Sequence, residues 1–580
     1  MRTVYCEDLN ISNIGLQVIL CGWVNRYRIF SDFIFIDIRD RSGNIQVCFD
    51  VNHDNVVFSS ARYLRNEFCV QITGIVRARP MHHINRNMKT GEIEVLASNL
   101  KIISTSEPLP LDLTKDNNSE EQRLKYRYLD LRRPIMFQRL KMRSHVISFV
   151  HHFMEKHGFL NIETPMLTRS IPEGARDYLV YSRLHSGKFY ALPQSPQLFK
   201  QLLMISGFDR YYQIIKCFRD EDMRSDRQPE FTQIDLETSF MSAKRVREFV
   251  ESLIYALWYE FLGVELTRFP QLTYREVMDK FASDRPDLRN PIEMSYIDIS
   301  AEQIISNDYF DSDVDKSISL KVMIMFVPSG ARLSCHELNR YVNDFQSFGG
   351  GNLTWVKIHG FGCNRNIEGS AVRFFTCAIL ESILLKTCIS EHDILFLSCS
   401  HHQFSSKALN FLRVKLGNDL QLIKNGSWSP LWVIDFPMFK KDEEGDIMSM
   451  HHVFTAPKST DIQILLEYPL SVLADSFDIV INGCELGSGS VRIHSYKIQK
   501  IIFEILGFTE EFQNDKFGFL LDALKYGAPV HAGIACGLDR LVMLLSGTDN
   551  IRDVIAFPKT TNAVDLMTKA PSVLDCDSDF

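Results

Sequence analysis

No stretch of this chain approaches the ~20 consecutive apolar residues that a membrane-crossing helix needs. The opening run Met1 to Asp8 lacks the apolar core of a secretory leader, and both absences point to the cytoplasm. Cys-x-x-Cys pairs are missing. The thirteen cysteines are irregularly scattered, which argues for reduced thiols over a disulfide framework. Cys399-Ser400-His401-His402 comes nearest to a metal cluster, but it has no second ligand pair at useful spacing and reads as a loop or sheet edge. Internal repeats and low-complexity tracts are absent. So is an excess of positive charge, since the formal net charge is −8, mild evidence against a nucleic-acid partner. Its distribution reopens that possibility: Arg26, Arg28, Arg39, Arg41, Arg62, Arg65, Arg77, Arg79 and Arg86 crowd the first hundred residues. An acidic body with a basic end module suits a partner held at selected contacts.

What remains is ordinary globular material, 580 residues with 45% hydrophobic and 23% charged side chains. At ~150 residues per domain this allows about three to four domains. Residues 1 to about 105 read as short strands: 18–24, 33–38, 45–49, 68–76 and 92–96, with one helix near 54–66. That pattern fits a small Greek-key barrel of the OB type. Pro108, Pro110 and the polar run 114–121 form a linker. Helices and strands then alternate. Val246, Phe249, Val250, Leu253, Ile254, Leu257 and Phe261 share one helix face, a stripe that is core or domain interface. From about 290 to 420 chemically suggestive clusters are sparse, and this stretch reads as an insertion. The tail after Pro571 is polar and acidic.

Three constellations carry chemistry. Phe218-Arg219-Asp220-Glu221-Asp222-Met223-Arg224 lies between two strands, the second alternating Phe231, Gln233, Asp235 and Glu237 against Thr232, Ile234 and Leu236. A charged hairpin loop is ordinarily solvated surface, but carboxylates facing inward need partners. Gly533 to Arg540 is a glycine-rich run opening a helix, where backbones approach closely and an Arg can meet a phosphate. A tight turn with a surface Arg fits equally. Ile481 to His494 resembles a hairpin carrying Glu485 and Arg492. Their odd separation puts them on opposite faces of an uninterrupted strand, so the glycines must bend or bulge the chain if both line one pocket. The bare pattern admits a structural ion pair as readily as a pocket.

Together and in this order the motifs resemble those of class II aminoacyl-tRNA synthetases. Phe159 to Pro165 matches motif 1, Phe218 to Glu230 motif 2 and Gly537 to Arg540 motif 3. The specific resemblance, over nearly the whole chain, is to the bacterial-type aspartyl-tRNA synthetases. It rests on Tyr126 to Arg133, Pro172 to Tyr178, Gln194 to Lys200, Gly207 to Tyr212 and Gly547 to Asp553.

The resemblance implies an α+β multidomain fold. An OB-fold anticodon-binding barrel spans 1–107 and a hinge 108–134. A class II antiparallel-sheet catalytic domain spans 135–286 and 423–562, interrupted by a GAD-type α/β insertion at 287–422, with an extension at 563–580. It implies aspartylation of tRNA-Asp through aspartyl-adenylate, with ATP as substrate, Mg²⁺ as cofactor and a homodimer. Arg219, Glu485 and Arg540 would be catalytic. Glu173, Ser195, Gln197, Lys200, Arg219, Asp235, His451 and Arg492 would bind aspartate, with Arg492 gripping its side-chain carboxylate through two parallel hydrogen bonds. Arg219, Asp220, Glu221, Gln228, Glu485, Gly537, Leu538, Asp539 and Arg540 would bind ATP. Glu485 and Asp478 would ligate Mg²⁺. Arg26, Arg28, Phe35, Gln46 and Arg77 would read the anticodon, with Phe35 stacking on a base; strand alternation alone favours plain barrel core for Phe35.

Departures from the family pattern are Val530, Ser488, Val453, Tyr181 and Phe30. The first four imply altered loop stiffness. Phe30 lies where relatives differ according to whether they charge tRNA-Asn as well as tRNA-Asp, so a non-discriminating enzyme is the alternative. A catalytically silent, synthetase-like tRNA-binding protein is a third reading, disfavoured because the charged site residues and the barrel are all present.

Overall fold

The computed structural model describes all residues except 116, 173, 224–225, 301–318, 360–365, 388, 401–404, 443 and 574–580. Glu173, His401, His402 and most of the acidic tail therefore lie outside the described residues. The chain divides into two compact units, Met1–Leu129 and Asp130–Phe580.

In the first unit, five strands close into a barrel: Gln17–Ile29, Phe33–Arg39, Asn44–Asp50, Cys69–Ala78 and Ile93–Ser104. Their order is first, second, third, fifth, fourth. Only the third and fifth pair in parallel, through Val47 with Val95 and Cys48 with Leu96. Alternation sends Val18, Leu20, Ile34, Ile36, Ile45, Val47, Val70 and Ile72 inward as one core. The helix Asn55–Ala61 is shorter than the sequence predicts. It starts at Asp54, whose side chain accepts from the Val56 and Val57 amides, and it seats Phe58 in the barrel core. Capping of this kind contributes ~0.5–2 kcal/mol.

The second unit is built on an eight-stranded sheet. Its strands, in spatial order, are Gln271–Thr273, Pro430–Ile434, Ser476–Ile481, Cys484–Val491, His531–Gly537, Glu230–Ser239, Arg210–Phe218 and Leu160–Asn161. Pairing is antiparallel except at the two edges. The helices Pro134–Lys156, Ala243–Leu262 and Leu538–Leu545 cover one face. The predicted stripe is there: Val246, Val250, Leu253, Ile254 and Leu257 are buried, and Phe249 and Phe261 lean on the same core. Trp258 adds to it, and Trp432 Nε1 beneath donates to Glu251 Oε1 at 2.8 Å. The helix stops at Gly263, whose φ of +64° suits a residue without Cβ.

Between Ile292 and Leu422 the chain forms a separate five-stranded antiparallel sheet. Its strand order is Glu293–Ser300, Ser319–Val327, Ile394–Ser400, Leu353–His359 and Asn366–Glu368. The helices Cys335–Ser347 and Ser406–Asp419 contribute to the core on one face and Cys377–Thr387 to that on the other. That explains the near-continuous apolar run Leu320 to Val327, whose alternate residues feed two cores. It also corrects the reading of Cys399 as loop or sheet edge. Cys399 sits in the middle strand, buried, and burial pushes its thiol up to about 12. No helix among the described residues is long and apolar enough to cross a membrane.

Candidate functional site

The strand Glu230–Ser239 sorts its side chains as the alternation requires. Ile234 and Leu236 enter the helix-side core, which leaves Gln233, Asp235 and Glu237 on the opposite, open face. Asp235 and Glu237 are completely buried there. Lys200, from the helix Gln197–Ile205, lies 2.9 Å from Asp235 Oδ1 and 3.1 Å from Glu237 Oε2. Arg492 donates through Nε to Glu237 Oε1 at 2.9 Å and through Nη2 to Oε2 at 3.1 Å. Its Nη1 faces Ser490 Oγ and His452 Nε2. Burial pushes the Glu237 carboxyl up, but Arg492 and Lys200 outweigh it and hold it at about 2. For Asp235 burial wins, and its carboxyl is raised. Gly533, opposite Glu237, leaves room for this set: a Cβ there would come within 2.1 Å of Glu237 Oε2.

A bulge settles the parity of Glu485 and Arg492. Ile479 pairs with Gly487 but Val480 pairs with Glu485, so Leu486 is an extra residue. It turns into the helix-side core. Discounting it makes the step from Glu485 to Arg492 even, and both reach the open face. Asp478 joins Glu485 there. Its Oδ1 is buried with no hydrogen-bond partner among the described residues. Burial first, then the Glu485 charge, raises the Asp478 carboxyl well above the usual range.

Arg219 lies over the Phe231 ring, 5.1 Å from its centroid. Among the described residues no carboxylate stands within ion-pair reach of it. The backbone of Asp220 donates to Arg176 O, and Glu221 pairs with Arg227 at 3.1 Å. Arg540 donates to Glu485 O at 2.7 Å and to Asp226 Oδ2 at 3.1 Å.

Other expected residues are held differently. Both ends of the Gln228 amide are engaged with the Lys559 main chain, at 3.1 Å and 2.8 Å. Leu538 is in the helix-side core, and Asp539 accepts from Arg143 and from the Thr232 amide. These two brace the sheet against its helices, because the helix at 538 turns them from the open face; Gly537 closes the strand beside Gln233. The Arg492 fork expected to meet a substrate carboxylate is already on Glu237.

Ser195 Oγ accepts from the Gln197 amide at 3.3 Å, and Gln197 Nε2 is buried without a partner among the described residues. Gln194, given no binding role from the sequence, brackets the segment around Gly174 by bonding Ala175 at both N and O and Asp177 Oδ1. His451 stands edge-on to Phe436 at 4.7 Å. Burial, then Arg492, lowers it to about 4. Also missed were Glu237 as the partner of Arg492, His452 and Ser490. The inward-facing acid in the alternation was the available signal for Glu237.

On the barrel, Phe35 is half-buried and outward, between the inward Ile34 and Ile36. Its ring centroid lies 5.9 Å from Phe30 and 6.1 Å from Phe33. Beside it runs a polar chain. Arg28 donates to Asp37 and Gln46, Gln46 donates to Glu94, and Arg77 donates to Glu94. Arg26 is exposed. The plain-core alternative for Phe35 is thereby removed.

The sequence matches the model for tRNA synthetases class II (D, K and N) over residues 119–561. It matches the model for the OB-fold nucleic acid binding domain over residues 18–103. It is 56% identical to an aspartate–tRNA ligase of Blochmanniella pennsylvanica (strain BPEN), over 98% of this chain and 100% of that one. Among solved structures, the asparaginyl-tRNA synthetase from Pyrococcus horikoshii complexed with asparaginyl-adenylate has a TM-score of 0.60 at 19% identity, covering 96% of this chain and 98% of that one. A putative aspartyl-tRNA synthetase from Leishmania major Friedlin has a TM-score of 0.60 at 18% identity, covering 96% and 94%. At such identities these two speak to the fold alone.

Proposed function

The chain belongs to the class II tRNA synthetases (D, K and N), and from that premise we propose that it attaches L-aspartate to tRNA-Asp through aspartyl-adenylate, driven by cleavage of ATP. The observation that carries the choice of amino acid is the buried Lys200–Asp235–Glu237–Arg492 set on the open face of the sheet. Two cations and two carboxylates held this tightly suit a small zwitterion with one extra carboxylate. Lys200 and the outer edge of Arg492 meet the side-chain carboxylate as charges already aimed by Glu237. Asp235 Oδ2, without a hydrogen-bond partner among the described residues, suits the ammonium group, with Ser195 and Gln197 beside it. Glu173 and His451 would border the amino acid from the loops.

The α-carboxylate of aspartate attacks the α-phosphorus of ATP, and the bond to the pyrophosphate oxygen breaks. Positioning and charge neutralisation carry such a step, and Arg219 would bridge carboxylate and α-phosphate. Asp220 and Glu221 flank the nucleotide, and Arg540 meets the γ-phosphate. Glu485 and Asp478 would hold Mg²⁺, which when bound neutralises phosphate charge. The raised Asp478 carboxyl, whose Oδ1 has no hydrogen-bond partner among the described residues, fits a cation. Among the described residues no three His, Cys, Asp or Glu side chains gather as a cage.

Arg26, Arg28, Phe35, Gln46 and Arg77 would read the anticodon, Phe35 stacking on a base. A homodimer formed through the motif 1 helix and strand, a GAD-type insertion at 287–422 and a cytoplasmic location belong to the same proposal. Charging of purified tRNA-Asp and tRNA-Asn with labelled aspartate and ATP tests it. Charging of tRNA-Asp alone gives a discriminating enzyme. Charging of both favours the non-discriminating reading, which the 58% exposed Phe30 at the edge of Phe35 supports. Charging of neither would overturn the proposal.

A further inference from the structure

Arg540 is not the only guanidinium at the phosphate end of the site. Arg285 Nη1 lies 3.7 Å from Asp226 Oδ2, the same oxygen that Arg540 Nη2 reaches at 3.1 Å. One carboxylate oxygen thus sits between two arginines from distant parts of the chain. None is sealed: the side chains of Arg285, Asp226 and Arg540 are 37%, 27% and 18% exposed. Glu485 borders the cluster, its Oε1 3.9 Å from Arg540 Nη1 and its main-chain oxygen accepting from the same nitrogen at 2.7 Å. Asp284, beside Arg285, acts on Asp478 in the carboxylate pair.

Arg285 is carried by an ordered segment. Its own amide donates to Ser283 Oγ at 3.2 Å. Asp287 Oδ2 accepts from Arg289 Nη2 at 2.7 Å, and Arg413 reaches back to Asp287 O at 2.8 Å. The turn at Gly483 lies close by, since a Cβ there would meet Asp287 Cβ at 3.2 Å. Two guanidiniums converging on one carboxylate oxygen form a receptor for a phosphate group. Here the chain's own Asp226 fills that receptor.

We propose that Arg285 is a second arginine for the β,γ-phosphates of ATP, and that Asp226 is an internal anion which ATP displaces from between Arg285 and Arg540. This rests on the ATP-dependent reading above. The full-length chain is titrated calorimetrically with ATP, AMP and inorganic triphosphate, alongside aspartate-dependent ATP–pyrophosphate exchange. Arg285→Gln weakens ATP and triphosphate binding about tenfold and leaves AMP within about twofold, as loss of one charge-assisted contact to the outer phosphates requires. In exchange it raises KM for ATP with kcat nearly unchanged. Asp226→Asn tightens triphosphate binding, since the competing charge is gone. Equal losses for ATP and AMP, or no loss for either, would overturn the role of Arg285. Weaker triphosphate binding by Asp226→Asn would make that carboxylate a brace and overturn the displacement. Should Arg285→Gln fail to fold, Arg285→Lys and Asp226→Asn carry the test with the same ATP-to-AMP comparison. A native chain that binds ATP without aspartate-dependent exchange would sink the proposed function and leave this inference standing.

Discussion

Replacing Glu237 by Gln removes one negative charge from a buried set of two cations and two carboxylates without changing its volume. The amide keeps a single acceptor oxygen where the carboxylate served Arg492 at 2.9 Å and 3.1 Å and Lys200 at 3.1 Å. Its NH2 must then face a guanidinium or an ammonium. Two routes give the cost. Breaking a buried pair by removing one partner destabilises by ~3–5 kcal/mol. The carboxyl is held at about 2 against an ordinary 4.5, which at ~1.4 kcal/mol per tenfold is ~3 kcal/mol. The sign follows from the depressed value: this stability is fully present above pH 4.5 and is lost as pH falls toward 2. Urea unfolding at pH 7, followed by tryptophan fluorescence, is therefore expected to show a loss of about 3 kcal/mol for Glu237→Gln. Arg492→Gln in the same background is expected to add much less than it costs alone, because its partner is already gone. A loss below ~1 kcal/mol, or full additivity of the two changes, would refute the coupling.

Arg492→Leu is expected to abolish aspartate-dependent pyrophosphate exchange, and near-normal exchange would remove Arg492 from the amino-acid site. Asp478→Asn is expected to stabilise the ligand-free chain, since the carboxylate is buried and repelled by Glu485, while raising the Mg²⁺ needed for activity; a lower melting temperature would contradict this. His451 is held at about 4 by burial and so stays neutral in the fold. The unfolded chain takes up its proton first, and stability should fall by about 2 kcal/mol from pH 7 to pH 5. His451→Gln should flatten that slope, and an unchanged slope would refute the assignment. Phe35→Ala should raise KM for tRNA about tenfold, the scale of one base–aromatic stack; an unchanged KM would return Phe35 to a packing role.

The barrel was legible because its strands alternate cleanly. The third strand, read at 45–49, runs Asn44–Asp50. The helix over 243–262 was legible because its stripe repeats at the helical period, yet Trp258 was missed although it lies in the same core. In the site, motif order identified the charged residues but not their mutual engagements. Arg492 and Glu237 are 255 positions apart, and no local pattern encodes such a pair. Gln228 has a long-range engagement of the same kind. The family resemblance named it for the nucleotide, and no local pattern foretold that Lys559 in the distant C-terminal segment also bonds both ends of its amide.

The extra residue at Leu486 acts as a parity bit for the strand that carries it. Deleting one residue between Gly487 and Val491 while the bulge stays would make the step odd again and turn Glu485 and Arg492 to opposite faces, with no charged residue altered. A two-residue change elsewhere in the strand would preserve the facing and only shorten the reach. Alignments of relatives in this segment should therefore tolerate substitution at the bulge more readily than a gap of one between it and Arg492. Designers who transplant the hairpin must copy its count before its side chains.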